Sequence, residues 1–198
     1  MATIEGRNQR NHRLHAGAPT VPAPRTNGET IPAATTGAGP VRYVWAAARI
    51  AVGWVFLWAF LDKLFGWGFA TPAAKAWVNG GSPTTGFLKG TADHTFGGLF
   101  TTLAGQPWVD WLFMIGLAGA GIALTLGIGM RIAAAAGGLL LLMMWAAELP
   151  LTTNPFMDEH IVYAIVLAGL ALTGAGTTLG LGTQWAATPL VRRFPILK

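Results

Sequence analysis

Four stretches of this chain, roughly 43–65, 108–130, 132–149 and 161–179, are apolar almost without interruption, and polar residues collect between them. A hydrocarbon core takes about 20 apolar residues to cross as a helix, with a usable range near 17–25. Each stretch therefore predicts a transmembrane helix, and the pattern predicts an all-α integral membrane protein built as a four-transmembrane-helix bundle. Gly129-Met130-Arg131 leaves almost no chain between the second and third stretches, which forces an antiparallel hairpin. Small residues stud the second stretch (Gly116, Gly119, Ala120, Ala123, Gly127) and the fourth (Ala164, Ala168, Gly169). Spacings of four put such residues on one face, where helix backbones approach closely inside lipid.

About forty residues separate the first two stretches. Within them Thr71-Pro72 and Ser82-Pro83 read as caps followed by a first-turn proline, and Asn79-Gly80-Gly81 and Gly90 read as stops. Short interfacial helices are expected in this first outer loop, covering the end of the bundle. Residues 1–40, rich in Pro, Ala, Gly and Thr, predict a disordered cytoplasmic tail with no secretory signal. Residues 41–183 form the expected membrane domain, and 184–198 a basic cytoplasmic tail.

Charge sets the orientation. Arg7, Arg10, Arg13, Arg25, Arg42, Arg131, Arg192, Arg193 and Lys198 fall on one side, against Lys75 and Lys89 on the other. The positive-inside rule then places both termini in the cytoplasm. The same flanks account for most of the formal net charge of +5, so nucleic acid is not an expected partner. With no cysteine, the chain alone cannot hold an iron-sulfur cluster, a disulfide or a thiol relay. No nucleotide loop, serine-histidine constellation or haem-attachment motif is present.

Candidate chemistry lies where charge meets apolar sequence. Arg49, Gly53, Phe56, Phe60 and Lys63 follow helical steps of four, three, four and three and share one stripe. An ionised group inside a span costs on the order of 3 kcal/mol and calls for a partner. Arg49 either snorkels or bonds carbonyls of neighbouring helices; Asp62 and Lys63 end the first stretch. The third junction runs Glu148-Leu149-Pro150 to Asn154-Pro155-Phe156-Met157-Asp158-Glu159-His160. Asp158 and Glu159 complement the start of a helix, whereas Glu148 ends one, where negative charge is unfavourable, so a pairing with Lys63 or another cation is expected. His160, one turn before Tyr163, either closes a structural network or passes protons. His94, His160 and nearby carboxylates have a spacing unlike any compact ligand motif, and no bound metal or haem is expected.

Three runs carry a resemblance: Arg49-Ile-Ala-Val-Gly53-Trp-Val-Phe56-Leu-Trp-Ala-Phe-Leu-Asp62-Lys63-Leu-Phe-Gly66, Asn79-Gly-Gly-Ser-Pro-Thr-Thr-Gly-Phe-Leu88, and Asn154-Pro-Phe-Met-Asp-Glu-His160-Ile-Val-Tyr163. Over about residues 42–193 the chain resembles the DoxX family in its actinobacterial form, whose DoxD relatives are associated with thiosulfate:quinone oxidoreductase. The resemblance implies four membrane helices that pass electrons from an outer-side reduced sulfur compound to membrane quinone, with a second redox subunit as partner. Its first-helix pattern carries over to Arg49, Gly53, Phe56 and Lys63, and its fourth-helix pattern to Asn154, Pro155, Asp158 and His160. Lys63, His160, Asp158, Glu159, Glu148 and Asp62 are then the candidate catalytic residues; Trp58, Tyr163 and Arg49 are candidate quinone or packing positions. The competing readings are a non-catalytic membrane anchor or scaffold for redox enzymes, and a small transporter or lipid-site protein. Oligomeric state stays open.

Overall fold

The computed structural model describes residues 39–198, all-helical, with no strand among them. The helices are α1 (Val41–Phe65), α2 (Thr85–Gly90), α3 (Gly97–Leu103), α4 (Pro107–Leu126), α5 (Met130–Ala147), α6 (Glu159–Leu172), α7 (Gly182–Ala186) and α8 (Pro189–Arg193). Single 3-10 turns stand at Ala73–Lys75, Trp77–Asn79, Ala175–Thr177 and Pro195–Leu197. The tail expected over 1–40 lies outside the described residues apart from Gly39 and Pro40.

Three helices, α1, α4 and α5, are long and apolar enough to cross a membrane, at 25, 20 and 18 residues. The fourth apolar stretch is helical only over the 14 residues of α6, about 21 Å at 1.5 Å per residue, so the helix expected through residue 179 stops early. Thr173 Oγ1 turns back to the Gly169 carbonyl at 2.8 Å, and Gly174 takes a left-handed φ of 63°. Glycines at 174, 176, 180 and 182 then cost helix about 1 kcal/mol each relative to alanine, and the chain runs irregular to α7.

α1 packs on α4, α4 on α5 and α5 on α6. All four meet at Gly137, where a methyl group would stand 3.2 Å from Leu167 Cδ1, 3.3 Å from Phe56 Cζ and 3.5 Å from Ala120 Cβ. Around this point Val52, Met114, Leu117, Leu124 and Leu141 are buried. The outward faces carry Leu112, Ile115, Leu139 and Ile165, each more than 60% exposed. Apolar faces of this kind are rare on proteins surrounded by water and suit a lipid bilayer.

The hairpin expected at Gly129 is present, with α4 ending at Gly127 (φ 74°) and α5 preceded by Gly129 (φ 56°). The segment expected as a basic tail folds against this turn. Arg131 N–H donates to the Lys198 carbonyl at 2.9 Å, Trp185 Nε1 donates to the Leu197 carbonyl at 2.6 Å, and Val191 is fully buried. In the long first loop Gly80 ends a 3-10 turn at φ 83°, where a stop was expected. Pro83 does not open a helix: α2 starts at Thr85, whose N–H donates to Ser82 Oγ at 3.1 Å.

Candidate functional site

Three of the charged groups embedded in apolar sequence tie the fold together. Arg49 is fully buried. Its Nη1 donates to the carbonyls of Leu124 and of Thr125, the latter at 2.9 Å, and its Nη2 to those of Thr178 (3.3 Å) and Leu179 (2.7 Å). The last carbonyls of an α-helix lack intrahelical donors and carry the negative end of its dipole. Arg49 therefore caps α4 and at the same time holds the irregular 173–181 segment, a packing role at the Arg131 end of the bundle. Asp62, 1% exposed, accepts from the N–H groups of Phe69 (3.3 Å) and Ala70 (2.9 Å), which fold the start of the first loop onto α1. Asp110 anchors the middle of that loop on α4: its Oδ1 accepts from Ser82 Oγ, Thr84 N–H and Thr84 Oγ1 at 2.9, 3.1 and 2.6 Å. Sequence reasoning assigned Asp110 no partner; the hydroxyl run Ser82-Pro83-Thr84-Thr85 was the available signal.

The opposite end, where α1 and α5 finish and α4 and α6 begin, holds a different constellation. Glu148, Asp158 and His160 each bring a potential ligand atom within 4.8 Å of the others. The chain reaches this arrangement because α5 and α6 are antiparallel neighbours joined by a short connection, so the last residue of one meets the first turn of the other. Asp158 is the N-cap of α6, its Oδ1 accepting from Ile161 N–H at 3.2 Å, while its Oδ2 lies 2.8 Å from His160 Nδ1. Burial pushes the Asp158 carboxyl up, but the hydrogen bonds from His160 and Ile161 outweigh it and hold the group below its ordinary 3.8. A depressed carboxylate contributes stability above its ordinary titration range, and that contribution is lost as pH falls through the depressed value.

A cavity of about 590 Å³ opens beside this cluster, with Glu148, Asp158 and Glu159 in its lining together with Phe87, His94 and Leu151. Thr95 N–H donates to the Leu149 carbonyl at 2.7 Å and so pins the turn carrying His94 against the end of α5. The Nδ1 of His94 is buried with no hydrogen-bond partner. Nothing in the spacing of His94 from residue 148 predicts this meeting.

Other candidates lie elsewhere. Lys63 does not pair with Glu148: its Nζ stands over the Phe113 ring, 5.9 Å from the centroid, and among the described residues no Lys or Arg nitrogen comes within 4.0 Å of a carboxylate oxygen. The reason is lateral position, since α1 packs on α4 whereas Glu148 ends α5 beside α6. Trp58 belongs to a run of rings, with centroids 5.7 Å from Trp54, 5.3 Å from Trp67 and 5.0 Å from Phe69. Tyr163 packs on the central core. Lys63→Ala and Glu148→Ala are accordingly expected to add, with a coupling below about 0.5 kcal/mol. A double-mutant cycle on denaturation in detergent checks this, and coupling well above that figure would restore the pair.

Compared with known proteins, the chain matches no family model, no curated protein and no solved structure.

Proposed function

We propose that this chain is a DoxX-like, four-span protein of the bacterial plasma membrane that passes electrons from an outer-side reduced sulfur compound to membrane quinone. The observation that carries the reading is the cavity at the Lys63 end, bordered by Glu148 and Asp158 and backed by the part-buried Asp158–His160 pair. Small-molecule sites occupy about 300–1,000 Å³ and combine apolar walls with a few convergent polar groups. Here Phe87 and Leu151 are such walls and His94 and the carboxylates such groups. In this reading α6 completes the fourth span together with the irregular 173–181 segment, because non-helical backbone is tolerated at membrane depth when protein satisfies it. Arg49 supports that with its donors to Thr178 and Leu179. The short elements of the first loop lie at the outer surface, and both termini are cytoplasmic.

The chemistry balances if two thiosulfate-like anions join through a new sulfur–sulfur bond and release two electrons, which quinone takes up with two protons to become quinol. Asp158 orients His160, and His160 hydrogen-bonds the quinone oxygen and hands on a proton. The carboxylates of the cavity repel a dianion, so the donor is met at Lys63 or on a second redox subunit. With wild-type protein and its co-purifying partners in proteoliposomes, quinone reduction by thiosulfate should be measurable. His160→Ala should slow it about 10²-fold or more without a matching loss of thermal stability.

A second reading, a non-catalytic anchor for redox enzymes, is favoured by the use of Arg49, Asp62 and Asp110 as ties that make a rigid platform. It forecasts no effect of His160→Ala on the assembled complex. If wild-type protein with its partners neither binds nor reduces quinone, the anchor reading replaces the first.

A further inference from the structure

We infer that Glu148, Asp158 and His160 form a binding site for a first-row divalent metal ion of the Zn²⁺ class. The inference concerns the same end of the bundle as the quinone reading but does not depend on it.

Four observations converge. Three potential ligand atoms, one from each residue, lie within 4.8 Å of one another. Around a tetrahedral Zn²⁺, with bonds to nitrogen or oxygen of about 2.0–2.2 Å, ligand atoms stand about 3.3–3.6 Å apart, so the set closes when side chains shift by about an ångström. His160 is only 8% exposed, and its Nδ1 is held by Asp158. Nδ1 and the Asp158 oxygen, 2.8 Å apart, stand as close as two ligands of one ion, so a cation taking the place of the shared proton is met by both.

The third observation is uncompensated charge. Glu148 caps the C-terminus of α5, the negative end of a helix dipole, and no Lys or Arg nitrogen of the described residues lies within 4.0 Å of it or of Asp158. A bound cation supplies the missing partner. Asp158 keeps capacity for it, since a carboxylate has about four lone-pair sites and hydrogen bonds occupy two. The fourth is His94, which lines the adjoining cavity with a buried, unpartnered Nδ1. A water in that cavity completes the coordination. One imidazole with two carboxylates suits Zn²⁺ or Mn²⁺ better than Mg²⁺ or Ca²⁺, which prefer all-oxygen sets.

The test is calorimetric titration of ZnCl₂ into the full chain, stripped of metal and held in detergent without quinone, with MgCl₂ as the control cation. One Zn²⁺ per chain should bind at this site. Glu148→Gln, which keeps side-chain shape, and His160→Ala should each weaken that binding about 10–100-fold or more, while Lys63→Ala leaves it unchanged. Co²⁺ in place of Zn²⁺ should give visible d–d bands that the same two variants abolish. Gel-filtration profiles and helical circular dichroism confirm that the variants are folded. Absence of Zn²⁺ uptake by the wild type overturns the inference, and so does uptake that both variants retain, which would assign it to His12 and His15. Because no quinone is present, failure of the redox reading leaves this outcome untouched.

Discussion

Arg49→Leu should destabilise the protein by about 3–5 kcal/mol, enough to deplete folded material from detergent extracts. The guanidinium supplies donors to four carbonyls, two at the end of α4 and two in the segment after α6. Leaving a buried acceptor unpaired costs about 1–3 kcal/mol, and the sum over four exceeds any gain from no longer burying a charge. The backbone after α6 is also unfavourable by itself, with Leu179 at a φ of 51°, a left-handed conformation that costs a non-glycine residue about 1–2 kcal/mol. Without Arg49 the segment has little to hold it in place. Arg49→Lys should recover only part of the loss, since a single ammonium cannot reproduce a planar fork reaching two chain segments at once. Thermal unfolding followed by circular dichroism measures both variants. Melting of Arg49→Leu within a degree or two of wild type would mean that the carbonyls find other donors and that the latch is dispensable.

The features legible in the sequence are those set by local composition. α1, α4 and α5 were expected at 43–65, 108–130 and 132–149 and stand at Val41–Phe65, Pro107–Leu126 and Met130–Ala147, because a long apolar run with few breakers has few alternatives to helix. The Glu148, Asp158 and His160 cluster was within reach for the same reason: its members sit on one short connection between antiparallel neighbours. What failed depended on contacts from far along the chain. Hydropathy scores Gly174 to Leu181 as readily as a helix, and only the donors of Arg49, more than a hundred residues earlier, make the irregular path tenable. Lys63 and Glu148 were matched by depth, yet depth leaves open which helices are neighbours around the bundle. Asp62 looked like a site residue because a carboxylate in apolar sequence demands a partner; that partner is the backbone of its own loop.

The small-residue faces show the same division, and they lead to the other large effect. Spacing alone picked out Gly116, Gly119, Ala120, Ala123 and Gly127 on α4, but Gly119 faces open space whereas Gly121 is buried against α1. A Cβ on Gly121 would stand 2.7 Å from the Leu57 nitrogen and 2.9 Å from its Cα, and a Cβ on Gly53 would stand 2.9 Å from the Thr125 nitrogen. These are backbone atoms, which cannot rotate aside, so any side chain there pushes α1 and α4 apart along their contact. Overpacking costs about 1–3 kcal/mol in a well-packed interior. In lipid the loss weighs more heavily, because close packing is itself a main force between helices. Gly121→Val should therefore lower stability by about 3 kcal/mol or more, and Gly121→Ala by about 1–3 kcal/mol, despite alanine's better helix propensity. Gly119→Ala should be neutral or stabilising by up to about 1 kcal/mol, since it keeps the propensity gain without a clash. Gly53 and Gly121 share one interface, so once either substitution has parted the helices the second has little left to disrupt. The double variant Gly53→Ala/Gly121→Ala should consequently fall short of the sum of its singles. Unfolding of the wild type and of these five variants, Gly53→Ala alone included, in detergent decides the matter. Equal stability of Gly119→Ala and Gly121→Ala would mean that α1 and α4 do not meet at these glycines.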